Sequence, residues 1–303
     1  MKSSILTHIL LAALTLLTMT FHENLFLLPW LPADKVWLYF QEEILYSLSL
    51  FTILFAHEMG HYIPSRMYNV RATLPYFIPM PFGPIGTMGA VIKIKDEIPD
   101  KKKLFDIGAG GPFMSLILSL PCWIYGIYHS KLIRFSGMES PERILIFGDS
   151  LFTYFTSQWI LGPYDSALFD VSIHPLARAG WVGLIITAIN LLPFGQLDGG
   201  HIIYSLFGER YRSWIYYLFL GFLFLGFVSF TWIFWGFLIY YLIRVEHPFV
   251  SDAELDWKRK ILGIFLLFSL AFIFVPVPMV SLAELKEHNL LEFLVYKMYS
   301  LGR

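Results

Sequence analysis

The sequence predicts an all-α, polytopic membrane protein with six to eight transmembrane helices, and three observations favour this fold class. Hydrophobic residues make up 56% of the 303 residues and charged residues only 15%, whereas a soluble globular chain carries about 25% charged residues. The mean hydropathy of +0.61 reflects long apolar blocks from which charge is excluded, as a lipid solvent requires. One further apolar stretch, residues 74–89, carries four prolines and three glycines, so it is apolar without being helical.

The apolar blocks predict the helices in chain order, because a membrane-crossing helix needs about 20 mostly apolar residues. The run from Ile5 to Met19 predicts an uncleaved N-terminal anchor, since no small-residue cleavage site follows it; a secretory signal peptide is the alternative. The apolar segment 144–160 is short, so an interfacial helix and a span are equally compatible with it. The remaining blocks predict a helix from about Val36 into 57–61, helices at 104–128, 178–206 and 258–277, and two compact helices within 214–243 that turn near 228–231.

Residues 74–98 predict a short re-entrant or β-hairpin segment. Their prolines and glycines prevent a helix, and irregular backbone at membrane depth is tolerated only where protein or a water-filled cavity covers it. Ala90 to Lys95 then alternate apolar and basic side chains, which is the pattern of a strand with one wet face. We therefore expect Ile92 and Ile94 on a strand that borders a cleft, with the two intervening lysines toward water.

Composition excludes several classes of partner and site. The net charge is -1 at pH 7 and no basic stripe is present, so nucleic acid is not an expected partner. The single cysteine, Cys122, excludes an intrachain disulfide and a thiolate-rich metal site. Any metal must therefore be held by histidines and carboxylates. The basic clusters 101–103 and 258–260 flank different spans and could both be cytoplasmic, but the number of spans leaves the orientation open.

The motif with the strongest chemical content is His57-Glu58-Met59-Gly60-His61, an H-E-x-x-H pattern at the end of an apolar block. On a helix, positions i and i+4 share one face, so His57 and His61 can bind one zinc ion. Glu58 lies beside that face, where its carboxylate can take a proton from water activated by the metal. A bound zinc ion lowers the pKa of that water to about 7 and polarises a carbonyl.

A purely structural interpretation of the motif is the alternative, with both histidines hydrogen-bonded to neighbouring helices and Glu58 paired with a basic residue. Inside a membrane helix, however, each ionisable group costs about 2.5–3.5 kcal/mol on insertion scales. Three such groups within five residues are seldom kept without a function. The position in an apolar block therefore favours the metal site.

A third protein ligand is expected in another apolar segment, because a catalytic zinc usually has three ligands and a water. Asp198 fits this requirement and is the sole acid between Asp170 and Glu209. Pro193 and Gly195 break the helix before it, and irregular backbone there can reach a site. The alternative for Asp198 is a helix N-cap after the break.

Several of these elements together resemble the site-2 protease family of intramembrane zinc metalloproteases (peptidase family M50). HExxH is followed much later by NLLPFGQLDGG (190–200), FDIGAGGPF (105–113) is similar to the family's F-D-I-x-x-A-G-P element, and HPLARAGW (174–181) extends the match. The stretch PYFIPMPFGPIGTMGAVIKIK (75–95) is similar to the substrate-side loop of the subgroup without a PDZ domain, which includes plastid and cyanobacterial members. The resemblance covers about residues 40–250.

The resemblance implies a three-helix catalytic core and a set of roles. His57, His61 and Asp198 become the ligands of one Zn²⁺ ion, and Glu58 becomes the catalytic base. Asn190 matches the motif asparagine, whose side chain could donate to an oxyanion or to the substrate backbone; an interhelical hydrogen bond is the equal alternative. The usual A-G-P becomes GGP at 110–112, a small-residue change that should preserve close helix packing.

The apolar blocks and the resemblance together predict three parts of the chain. These are an N-terminal membrane anchor and connection at 1–35, a membrane catalytic domain at 36–250 that contains the matched segments, and a C-terminal transmembrane helix with an interfacial tail at 251–303. The implied activity is zinc-dependent hydrolysis of peptide bonds in or near transmembrane segments, as in regulated intramembrane proteolysis. The expected partners are the lipid bilayer and a transmembrane, single-span protein substrate. The short N-terminus, which does not resemble a transit peptide, predicts a bacterial inner membrane as the location.

Two other classes of protein are compatible with the motif alone. A membrane zinc peptidase of another lineage, such as a prenyl-protein peptidase, needs a glutamate ligand in a later helix. The later acids, Glu246, Asp252, Glu254 and Asp256, lie instead in a charged loop. An ion transporter could also use the histidine cluster. Glu58→Gln separates the two classes, because a hydrolase would lose turnover and keep its zinc whereas a transporter would lose only ion coupling.

Three further polar residues are assigned structural roles first. His174 precedes Pro175 and is expected to cap a helix. His201 follows LDGG and could orient Asp198, with a satisfied interior histidine as the alternative. Asp106 is expected to cap the start of a helix, where its charge favours the helix dipole.

Overall fold

The computed structural model describes residues 5–22, 25–134, 145–164 and 169–281, and it is mostly helical, at 67%. Apart from Ser281, the predicted interfacial tail at 281–303 lies outside the described residues. The α-helices are α1 (Ile5–Thr20), α2 (Ala33–Met67), α3 (Lys101–Tyr128), α4 (Leu151–Leu161), α5 (Pro175–Asn190), α6 (Asp198–Phe207), α7 (Ile215–Leu223), α8 (Phe230–Leu238) and α9 (Trp257–Ile273). Short 3₁₀ or π turns lie at Leu28–Trp30, Gly208–Ser213, Phe224–Phe227 and Ile239–Ile243.

The strands form two-stranded antiparallel ribbons between the helices. β1 (Tyr76–Pro79) pairs with β2 (Thr87–Val91), β3 (Lys131–Arg134) pairs with β5 (Phe169–Ser172), and β4 (Leu145–Phe147) pairs with β6 (Met279–Ser281). Only the first ribbon was expected. Because β3 and β4 each pair with a strand far along the chain, the sequence has no hairpin turn that would predict the other two ribbons.

The centre of the bundle is the packing of α2, α3 and α5, joined by α6. Glycines allow the backbones of α2 and α3 to touch: a Cβ on Gly60 would lie 2.3 Å from the carbonyl oxygen of Gly110, and a Cβ on Gly110 would lie 2.0 Å from that of Gly60. The glycine that replaces alanine in the A-G-P element is therefore required by this crossing. Gly126 of α3 approaches the backbone of Ala177 of α5 as closely.

The predicted break in the 178–206 block is present and separates α5 from α6. α5 begins at Pro175 with His174 as its N-cap, whose Nδ1 accepts a hydrogen bond from the Leu176 amide at 3.2 Å. α5 ends at Asn190, and α6 starts again at Asp198. Gly195 between them has φ +50, a left-handed conformation that glycine adopts without steric cost.

The predicted hairpin is also present, and it lies against α1 and α2. Its ladder pairs Tyr76 with Val91 and Phe77 with Ala90, with an irregularity before the pairing of Pro79 with Thr87. The extended chain continues past the ladder through a bridge between Ala72 and Ile94. As expected, the lysines of this stretch are exposed and the intervening isoleucines are half-buried.

Among the residues that the structure describes, α3 is the one helix both long and apolar enough to cross a membrane by itself. α2 has the length, but the polar residues of its motif and its ends lower its hydropathy. α5 stops after 16 residues and α9 after 17. The structure thus shows a mostly helical protein with one helix of spanning character among the described residues, and the six to eight spans stay a prediction. The apolar segment 144–160 contains the 11-residue α4, which at about 1.5 Å per residue is too short to cross a bilayer.

Asp106 does not cap a helix, contrary to the sequence-based expectation. α3 begins five residues earlier, with Asp100 as the N-cap accepting from the Lys103 amide at 2.9 Å. Asp106 instead accepts two hydrogen bonds of 2.7 Å from the Arg259 guanidinium and one from the Tyr68 hydroxyl. It therefore ties α9 and the end of α2 to α3.

Candidate metal centre

The two motif histidines lie on one face of α2, deep in the bundle. His57 is 4% exposed and His61 is 8% exposed, and their rings meet edge to face with centroids 4.8 Å apart. The Nε2 atoms of the two rings are 3.1 Å apart. Both nitrogens therefore point at the same small volume, as the i, i+4 spacing predicts.

Asp198 completes a triangle of donor atoms. Its Oδ2 lies 3.3 Å from His57 Nε2 and 3.4 Å from His61 Nε2. Ligands about 2.0–2.1 Å from a tetrahedral zinc ion are separated from each other by about 3.3–3.4 Å. The spacing and the His-His-Asp donor set thus fit three ligands of a tetrahedral zinc, with the fourth position left for water or substrate.

The alternative role of Asp198 as an N-cap is not the one adopted. The N-cap of α6 is Leu197, which makes no side-chain cap, and Asp198 is the first helical residue. Asp198 Oδ2 is buried and has no hydrogen-bond partner among the described residues. A buried carboxylate oxygen facing two imidazole nitrogens is what a cation would satisfy.

Helix α3 supplies no ligand but holds His61 in place. His61 Nδ1 lies 2.7 Å from the carbonyl oxygen of Ile107. Because a carbonyl oxygen can only accept a hydrogen bond, Nδ1 carries the proton and Nε2 keeps its lone pair for a metal. A Cβ on Gly111 would lie 2.1 Å from His61 Nε2, so only glycine leaves room for the ring. These two contacts give a physical reason for the FDIGAGGPF element, whose role in the site the sequence alone did not reveal.

Glu58 is the third buried group of the motif, 6% exposed. Its carboxylate lies close to His57, His61 and Asp198, and the backbone N–H of Ile92 lies near it. The end of the hairpin therefore reaches the predicted base. This contact agrees with the expectation that Ile92 borders the cleft.

Asn190, the last residue of α5, lies beside the donor triangle. Its Nδ2 is 3.4 Å from His57 Nε2, a long contact that a metal on Nε2 would replace. The side chain is thus positioned at the site, close enough to meet a group bound there, and the oxyanion role stays a prediction.

His201 is part of a histidine pair that the sequence reasoning missed. His247 Nδ1 lies 2.6 Å from the Pro248 carbonyl and must donate to it, so its Nε2 accepts from His201 Nδ1 at 2.7 Å. The ring of Tyr204 stacks on His247 at 4.5 Å. The pair holds the segment after the π turn against α6, one turn beyond Asp198. Because the two histidines are 46 residues apart, no local sequence pattern predicts their contact.

The fold and the site together define a class of protein: a helical-bundle, metal-dependent hydrolase with two histidines, an aspartate and a buried glutamate. The family model of peptidase family M50 matches residues 45–226, a range that contains every one of these side chains. The chain belongs to peptidase family M50.

Curated relatives point the same way. The probable zinc metalloprotease EGY1, chloroplastic, of Arabidopsis thaliana is 35% identical over 158 residues, covering 52% of this chain and 28% of that protein. The protein of the same name from Oryza sativa subsp. japonica is 37% identical over 155 residues, covering 50% and 26%. The probable zinc metalloprotease EGY2, chloroplastic, of Arabidopsis thaliana is 27% identical over 229 residues, covering 75% and 40%.

These likenesses confirm the predicted family, the plastid-type subgroup, the metalloendopeptidase class and zinc as the cofactor. The matched part of the chain spans well under half the length of each relative. The relatives are chloroplastic by name, so the expected bacterial inner membrane finds no support in them.

Proposed function

We propose that this protein is a zinc-dependent intramembrane endopeptidase that hydrolyses peptide bonds in or near transmembrane segments of single-span membrane proteins. One observation carries the proposal. The donor triangle and Glu58 are buried between bundle helices, and the open end of a β-hairpin reaches the same carboxylate through Ile92. A metal site enclosed between apolar helices, with a strand edge leading to it, suits a substrate that arrives from the bilayer rather than from water.

Each residue of the site would have a separate role in hydrolysis. His57, His61 and Asp198 would hold the zinc ion, which when bound polarises the scissile carbonyl and acidifies a water molecule. Glu58 would accept the proton from the attacking water and deliver it to the leaving amine. Asn190 would donate to the substrate carbonyl oxygen as negative charge develops on it.

The hairpin would present the substrate in extended form. Backbone amides inside a substrate helix are shielded, so the helix must unwind before cleavage. β1 lies against α1, whereas the far edge of β2 has no partner strand among the described residues. An unpaired strand edge binds extended peptide by main-chain hydrogen bonds, and the β2 edge leads directly to Glu58.

The proposal includes a multi-pass arrangement in the bilayer. α1, α7 with its 3₁₀ extension, and α8 with its π turn are apolar but shorter than a full span, and together with α2, α3, α5–α6 and α9 they would give six to eight crossings. Asp106 binds Arg259, and the amide of Lys101 donates to the Ser251 carbonyl at 3.1 Å, so both basic clusters lie at one end of the bundle. We place that end on the cytoplasmic side.

The decisive test is Glu58→Gln expressed with a tagged single-span substrate in native membranes. The variant should retain stoichiometric zinc and lose turnover by about 10³-fold or more, because the base is missing while the ligands remain. Uncleaved single-span proteins should then accumulate and co-purify with the variant. Undiminished cleavage by Glu58→Gln would exclude this mechanism, and zinc transport without cleavage by the wild type would favour the transporter.

A further inference from the structure

The tip of the β1–β2 hairpin is held by side chains from two different helices. The hydroxyl of Tyr46 on α2 donates to the carbonyl of Ile85 at 3.0 Å. The hydroxyl of Thr18 on α1 donates to the carbonyl of Gly86 at 2.7 Å. Two successive carbonyls of the tip are thus bound, one from each side.

The fit at the tip leaves no room for displacement toward α1. A Cβ on Gly86 would lie 2.5 Å from the Cα of Met19, and Gly86 has φ +79, so glycine is required both for space and for conformation. Farther along β1, the Phe77 ring stacks on Phe51 of α2 with centroids 4.2 Å apart. The hairpin is therefore wedged between α1 and α2 along its length.

Tyr46 is itself fixed by a charged pair inside the bundle. Tyr46 is fully buried at 0% exposure, and the Arg178 guanidinium lies over its ring at 4.0 Å from the centroid. Arg178, on α5, is paired with Glu43, one turn before Tyr46 on α2, and the two side chains are only 18% and 14% exposed. A guanidinium over an aromatic face orients the ring by cation–π attraction, and the carboxylate balances its charge.

We infer that Tyr46 and Arg178 are positioning residues that set where a substrate strand lies, by anchoring the hairpin tip far from the metal. The hairpin is fixed at its open end by the bridge between Ala72 and Ile94 and at its tip by this anchor. The β2 edge between the two fixed ends then has one position relative to the zinc ligands. This inference rests on the proposed function of the β2 edge as the substrate site.

The test uses Tyr46→Phe, which removes only the hydroxyl, in the full zinc-loaded chain in nanodiscs. Amide hydrogen exchange of residues 76–91 should rise by about tenfold, the loss expected for one buried hydrogen bond. With a single-span substrate, KM should rise by a similar factor while kcat and zinc content stay unchanged. Tyr217→Phe, at a tyrosine that is 76% exposed, is the matched control and should change nothing.

A second variant distinguishes loss of the anchor from a general packing defect. Arg178→Lys keeps the positive charge opposite Glu43 but loses the planar stack on Tyr46, so it should raise exchange and KM in the same direction. Unchanged hairpin exchange in Tyr46→Phe would overturn the inference, and so would faster exchange with unchanged KM. A wild-type chain that binds zinc but cleaves no membrane substrate would instead refute the proposed function, and exchange would still report whether the tip is anchored.

Discussion

His57 and His61 are equivalent in the motif, but the structure holds their rings by different means. His61 donates from Nδ1 to the Ile107 carbonyl, so its tautomer leaves the lone pair of Nε2 for a metal. His57 Nδ1 is buried and has no hydrogen-bond partner among the described residues. The position of the His57 ring therefore depends more on the ion and on Asp198. Substitution of the aspartate should for this reason affect zinc binding strongly.

Asp198→Asn is expected to reduce zinc affinity by about 100-fold or more, because it replaces an anionic ligand in a buried site with a neutral amide. Zinc content of the purified protein, measured by mass spectrometry after dialysis against a weak chelator, checks this. Asp34→Asn, at an exposed residue in the first turn of α2, is the control and should retain full zinc. Equal zinc in both variants would remove Asp198 from the ligand set.

Gly111→Ala should also release zinc, although Gly111 is not a ligand. Its Cβ would lie 2.1 Å from His61 Nε2, so the ring must move away from the donor triangle. Gly221→Ala is a matched change in α7, where a Cβ would meet nothing within 4 Å. Loss of zinc in Gly111→Ala alone is the predicted result; retention of zinc would mean that α3 can shift without disturbing the site.

At the scale of elements, the β1–β2 hairpin links the outer part of the bundle to the catalytic carboxylate. Its tip is bound by α1 and α2, and its open end meets Glu58 through the backbone at Ile92. The unpaired N–H and C=O groups along a strand edge can pair with another extended chain. The function of this element therefore depends on main-chain groups rather than on particular side chains.

Ile92→Pro should impair cleavage strongly and leave zinc binding intact, because proline removes the backbone donor that reaches Glu58 and restricts the strand. Ile92→Ala keeps the N–H and should retain most of the activity. Cleavage of a single-span substrate and zinc content are measured together for both variants. Unchanged cleavage in Ile92→Pro would show that the strand edge does not take part in presenting the substrate.

At the scale of the whole molecule, a non-helical segment after the π turn closes one end of the bundle. Gly195 donates to the Val245 carbonyl at 3.0 Å and Tyr211 donates to the same carbonyl at 2.9 Å. His247 is 2% exposed and burial lowers its pKa from the ordinary 6.5 to about 4. The segment is therefore held by a neutral histidine.

This neutral histidine predicts a dependence of stability on pH. Between about pH 6.5 and pH 4 the unfolded chain binds a proton at His247 that the folded chain does not. The contribution of His247 to the free energy of unfolding is therefore fully present above pH 6.5 and is lost as the pH falls toward 4. The free energy of unfolding should decrease by on the order of 3 kcal/mol over this window. Thermal unfolding of the detergent-solubilised protein at several pH values, compared with His247→Gln, measures the contribution; equal slopes for the two proteins would exclude it.

Local patterns in the sequence were sufficient for much of the fold and site. The spacing of His57 and His61, the helix break before Asp198 and the proline-rich hairpin all depend on residues close together in the chain, so periodicity and turn chemistry predict them. The pairing of His201 with His247 and of Glu43 with Arg178 depends on contacts between distant segments. No local pattern encodes such contacts, and the start of α3 was misjudged because Asp100 and Asp106 are equally good caps in sequence.

The donor triangle has a consequence for how the ion is taken up. Edges of 3.1, 3.3 and 3.4 Å match those around a tetrahedral ion, and the helices that carry the ligands, α2 and α6, also pack extensively against α3. Small zinc domains have little other than their ion to hold them together and fold only around it. In this bundle the packing of the helices adds its own stability, so chelation should leave the helices intact and abolish the activity reversibly.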